Sequence, residues 1–152
     1  MGLFAKEAIT VDPEVAAVVI GSSTNSKSVG KIQLDLLEAL TPDEQLIAVC
    51  ACERHNSVMA VTNQRILYGS GSHIEYIIEG NRVAEASLMR GPTGNSRQPF
   101  WFCASVTWRG NPLKHQRIKN YYWSNDFLAI WRADYDEANA LSVRIDRTFG
   151  LE

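Results

Sequence analysis

Between Leu40 and Gly69 the chain reads LTPDEQLIAVCACERHNSVMAVTNQRILYG, a succession of short apolar runs with polar breaks between them. Glu53-Arg54-His55-Asn56 separates the first two runs, and Thr62-Asn63-Gln64-Arg65 stands directly before the third, Ile66-Leu67-Tyr68. That layout predicts a meander of antiparallel strands. Thr41 and Glu44 have the spacing of a capping box, which alone would start a helix running to Ala51. Leu46 to Cys52 carry no turn-wise apolar stripe, however, so the box predicts a single turn leading into a strand.

The same punctuation continues. Strands are expected over 45–54, 57–62, 65–70, 73–79, 82–90, 100–109, 116–123 and 127–132, with turns at Gly69-Ser70-Gly71-Ser72, Gly80-Asn81 and Gly110-Asn111-Pro112. The longest of these breakers, 91–99, is expected to be a mobile surface loop. The chain closes on a helix at 134–149. Asp134 caps it, Glu137 completes a second capping box, and Ala138, Leu141, Ile145 and Phe149 line one face before a stop at Gly150.

Residues 1–40 read differently. Asp12-Pro13-Glu14 opens a helix near 13–20, with Asp12 as cap and Pro13 at its first position. A polar breaker, 21–26, follows it. Ser28 then caps a helix over 28–40, whose stripe of Ile32, Leu36 and Leu40, flanked by Val29 and Leu37, should pack on the body of the protein. The expected division is an N-terminal helical extension, 1–40, and a second unit, 41–152.

Leu40, Pro42, Glu44, Val58, Val61, Thr62, Asn63, Arg65, Ile66, Leu67 and Tyr68, together with this order of elements, resemble the bacterial pleckstrin-homology-like domains. The resemblance is closest over 40–68 and topological over the rest. It implies a mainly β (α+β) fold, a curled antiparallel barrel of about seven strands capped by the C-terminal helix. One strand-like segment, 73–79 or 82–90, is extra to the simplest version, as is the N-terminal helical part. The family implies a habit of binding and no particular ligand.

Composition narrows the function classes. With 15 basic and 17 acidic residues the net charge is −2, without the basic excess usual in nucleic-acid-binding domains. No apolar run, Val15 to Ile20 included, approaches the roughly 20 residues that span a bilayer. No secretory pattern opens the chain, and Lys6 stands where N-myristoylation after Gly2 expects Ser or Thr. Cys50 and Cys52 alternate onto one strand face, and with Cys103 they read as buried, reduced thiols, so a cytoplasmic setting is expected. No second Cys or His pair completes a metal site.

No catalytic constellation appears. His55, His73 and His115 lack a recognisable nucleophile partner, Glu75 and Glu79 read as solvated, and Gly69-x-Gly71 is a turn rather than a phosphate loop. Neither a cofactor nor enzymatic activity is expected. The first reading is an interaction module that binds a protein or peptide partner and can self-assemble as a homo-oligomer. Contact is expected through the 91–99 loop and Trp101, or through an exposed sheet edge. The alternative is an anionic-ligand binder, for membrane lipid or nucleic acid, through the basic-aromatic segment 109–123. There Arg109, Lys114, His115, Arg117, Lys119 and Tyr121 combine charge with rings. A solvated hairpin face that discourages edge pairing competes with that alternative. The 53–56 turn, with Arg54 beside Glu53, is a poor phosphoinositide grip.

Overall fold

A computed structural model describes residues 11–21, 26–53, 56–110 and 128–151. Its elements in order are α1 (Pro13–Ala16), β1 (Val19–Ile20), α2 (Ser26–Ala39), β2 (Leu46–Ala51), β3 (Ser57–Thr62), β4 (Arg65–Ser70), β5 (His73–Glu79), a 3-10 turn (Gly80–Arg82), β6 (Val83–Asn95), β7 (Gln98–Trp108), β8 (Leu128–Arg132) and α3 (Tyr135–Phe149). The protein is mainly β, with a five-stranded sheet in the order β1-β2-β3-β4-β5 and a three-stranded sheet, β6-β7-β8. Among the described residues all strand pairings are antiparallel except that of β1 with β2.

The apolar runs of β2, β3 and β4 are near-continuous because both faces of the larger sheet are covered. On one face Ala48, Cys50, Met59, Val61, Ile66 and Tyr68 join Ala104, Val106, Leu128 and Ile130 of the smaller sheet and Ala138, Leu141 and Ile145 of α3. On the other, Leu46, Val49, Ala51, Val58, Ala60 and Leu67 meet Val15 of α1 and Val29, Ile32 and Leu36 of α2. The last three are fully buried, each worth about 2 kcal/mol by removal from water. The stripe expected on 28–40 therefore does pack on the body, although α2 begins at Ser26.

Two further differences from expectation have physical reasons. The helix expected near 13–20 is a single turn: Asp12 accepts from the Glu14 N–H at 2.9 Å, but the chain leaves the helix after Ala16. Val19 and Ile20, β-branched, instead pair alongside Val49 and Cys50. The segment 91–99 is not a loop but the end of a long hairpin, paired from Val83↔Trp108 to Asn95↔Gln98 with an irregularity between Pro92 and Asn95. Pro92 and the glycines are tolerated because β6 is an edge strand among the described residues. The strand expected over 116–123 lies outside the described residues.

The two sheets are tied at one corner. Beyond β2 the Glu53 N–H donates to the Trp131 carbonyl at 2.7 Å, and the Trp131 N–H approaches Cys52 Sγ at 3.4 Å. Deeper in, the Tyr68 hydroxyl of β4 donates to the Ala129 carbonyl of β8 at 3.0 Å. α3 is capped as the sequence predicts: Asp134 accepts from the Glu137 N–H at 3.1 Å, and Gly150 ends the helix with φ 64°. Among the described residues no helix is long and apolar enough to cross a membrane.

Candidate functional site

Two buried charge clusters come first, because their partners show what they are for. The Thr41 turn delivers Glu44 beneath the β3–β4 hairpin, where its side chain is fully covered. Glu44 Oε2 accepts from the Thr62 hydroxyl at 2.5 Å and from Arg65 Nε at 2.9 Å, while Oε1 accepts from an Arg65 terminal nitrogen at 2.6 Å and from the Thr41 N–H at 3.1 Å. Arg65 also donates to the Ala39 carbonyl at the end of α2, at 2.8 Å. Thr62 Oγ1 accepts from the Gln64 and Arg65 N–H groups at 3.1 and 2.8 Å, and Asn63 exchanges bonds with Gln45 on both sides. Burial alone would raise the Glu44 carboxyl. The bonds from Arg65, Thr62 and Thr41 overcome it and hold the group at about 2. Both Glu44 carboxylate oxygens and the Arg65 Nε and one terminal nitrogen are used internally, so the Thr-Asn-x-Arg step fastens α2 to the sheet.

The second cluster closes the corner between the sheets. Arg132 is almost wholly buried; it donates to Glu137 Oε1 at 2.8 and 3.1 Å and to the Ala51 carbonyl at 3.1 Å, and stands 3.3 Å from Glu53 Oε1. Glu53 also accepts from the Ala133 N–H at 3.2 Å. The acid of the first hairpin is thus committed to structure.

Nucleophile chemistry finds little support in the thiols. Cys50, Cys52 and Cys103 are free and buried. Burial pushes Cys50 and Cys103 up to about 12, far from a reactive thiolate. Among the described residues no group of three or more His, Cys, Asp and Glu is placed to hold a metal ion.

What remains is the β6–β7 hairpin. β8 pairs only with 102–106 of β7, so the hairpin from Gly91 to Trp101 runs on past the third strand. The register puts Arg90, Pro92, Phe100 and Phe102 on one face and Met89, Gly91, Trp101 and Cys103 on the other. Met89 is 47% exposed and Phe100 37%. The Arg90 guanidinium carbon stands 4.3 Å from the Phe100 ring centroid. Phe102 meets Tyr135 of α3 edge-on at 5.5 Å, and Tyr135 itself is half exposed. On the opposite face the Trp131 ring would lie 3.3 Å from any Cβ added at Gly91, so this glycine makes room for the indole.

Of the residues expected to make contact, Trp101 is half-buried on the projecting part of this hairpin. Arg109 lies at its other end, exposed but engaged: its guanidinium donates to the Val83 carbonyl at 3.1 Å, and its carbonyl accepts from Arg82 Nε at 2.8 Å. The two are not brought together. Lys114, His115, Arg117, Lys119 and Tyr121 lie outside the described residues. Met89 and Arg90 are not among the residues expected from sequence, since a strand ending at 90 leaves them no projecting hairpin to sit on. No family model, curated protein or solved structure matches the chain.

Proposed function

We propose that this chain is a non-enzymatic interaction module of pleckstrin-homology-like architecture that takes a protein or peptide segment against its β6–β7 hairpin. The architecture rests on the succession of β2 to β5 in one sheet, β6 to β8 in another and a helix packed over both, joined at the β2–β8 corner. It rests also on the resembling residues Glu44, Thr62, Asn63 and Arg65 forming one fastening. Such a frame is rigid, which suits a presented surface.

One observation carries the reading: the hairpin projects past β8 with Met89 and Phe100 exposed, beside an outer side of β6 that pairs with no strand among the described residues. Apolar side chains flanking an open strand edge suit an extended partner, whose backbone bonds to the edge while its side chains meet the apolar groups.

A photo-crosslinking residue at Met89, introduced into the full chain in its native cells, tests this. The expected result is one dominant adduct at Met89 that is missing when the same residue replaces Leu34, which is exposed on α2. No adduct at Met89, or the same set at both positions, removes the hairpin from the account. An adduct of twice the chain's mass would make the partner another copy.

A further inference from the structure

Although 17 residues of the chain are acidic, none falls between Ala86 and Asn125. The described part of that interval includes the projecting stretch of the hairpin, where Arg90 and Arg97 are exposed. Glu85, opposite Thr107 near the start of β6, is the one acid on that strand and stands back from the projecting stretch. The surface assigned above to a partner is therefore cationic and apolar at once, on a chain whose net charge is negative.

We infer that the occupant of this hairpin is an acidic peptide segment, one that carries Asp or Glu beside aliphatic or aromatic side chains. The inference rests on the interaction-module reading and adds the partner's chemistry to it. Arg90 stands over Phe100, and a guanidinium held against a ring keeps N–H donors for a carboxylate while its carbon skeleton stays desolvated. Met89 and Phe100 supply the apolar part on the two faces. Neutralising an acid beside an apolar contact is a selective combination, because a basic segment meets repulsion at the same spot.

Other occupants fit less well. A bilayer is entered tip first, but the outermost residues here, 93–97, read Thr-Gly-Asn-Ser-Arg, and the apolar side chains are set back along the shaft. Bases need open ring faces, and one face of Phe100 is taken by Arg90.

Selection of short random displayed peptides on the full chain, followed by titration of the best synthetic binder, tests the proposal. The expected winners are rich in Asp or Glu with aliphatic neighbours, and their binding weakens as salt rises. Affinity should fall about tenfold or more in the Arg90→Glu/Arg97→Glu variant and change little in Lys27→Glu/Lys31→Glu, the same charge change on the exposed side of α2. Arg97→Glu alone, which leaves the Arg90–Phe100 contact in place, should show an intermediate loss. Winners without acidic bias, no winners, or equal losses in both double variants overturn the proposal. So would anionic phosphatidylglycerol vesicles or single-stranded DNA binding the chain more tightly than the best peptide. Neutral or basic winners that still block crosslinking from Met89 would sink the acidic partner and leave the interaction module standing.

Discussion

Glu44 is the residue on which the N-terminal layer hangs. It is a buried carboxylate with a bidentate arginine, and removing its charge deprives half-buried Arg65 of its hydrogen-bonded anion. Glu44→Gln should lower stability by about 3 kcal/mol in urea unfolding, because breaking one partner of a covered ion pair strands the other. The same group makes stability depend on acid. Its folded value of about 2 lies below the ordinary 4.5, so the contribution is complete above about pH 4.5 and is lost as pH falls toward 2. In Glu44→Gln that acid-side decline should shrink, which unfolding curves between those pH values would show. Gly69 is constrained by space instead. A Cβ there would stand 2.0 Å from the His73 carbonyl oxygen, at the point where the β4–β5 register shifts. Gly69→Ala should therefore cost about 3 kcal/mol, visible as a clear drop in Tm.

At the scale of elements, β2 to β5 were legible because their apolar runs end at unmistakable turn residues. α3 was legible because its two caps and its stripe agree. The hairpin beyond residue 90 was not: Gly91, Pro92, Gly94 and Pro99 spell a loop by local chemistry, and the strands continue through them because, among the described residues, β6 lies at the sheet edge and β7 at Pro99 has run past β8. Nor could a capping box reveal that Glu44 would be claimed by Arg65, a partner twenty-one residues on. Part of the candidate site was visible as Trp101, while Met89 and Arg90 acquire meaning only once the hairpin is extended. α2 and β5 illustrate a contact that no local pattern announces: Asp35 accepts from the Ile74 N–H at 2.7 Å, holding the start of an edge strand. Asp35→Ala should cost about 1 kcal/mol and speed hydrogen exchange at the Ile74 amide more than at amides of β3.

For the molecule as a whole, the larger sheet is a middle layer, with α1 and α2 on one side and the smaller sheet with α3 on the other. An independent 41–152 unit would bare Leu46, Val49, Ala51, Val58, Ala60 and Leu67 together, an apolar face of a kind that soluble monomers seldom show. A chain trimmed to 41–152 should self-associate or precipitate where the full chain does not, which light scattering at equal concentration would reveal. The thiols make a second global test. All three are buried, so a disulfide-exchange reagent should label them only as the protein unfolds, at the same denaturant concentration as the loss of fluorescence.

The corner at Arg132 gathers Glu53 from early in the chain, Arg132 itself from late, and Glu137 from the opening turn of the last helix. A ribosome must therefore carry synthesis past Glu137 before that knot can be tied. Until then the nascent sheet keeps the face meant for α3 uncovered, and a stalled or prematurely ended product would emerge as a sticky fragment rather than a smaller working protein.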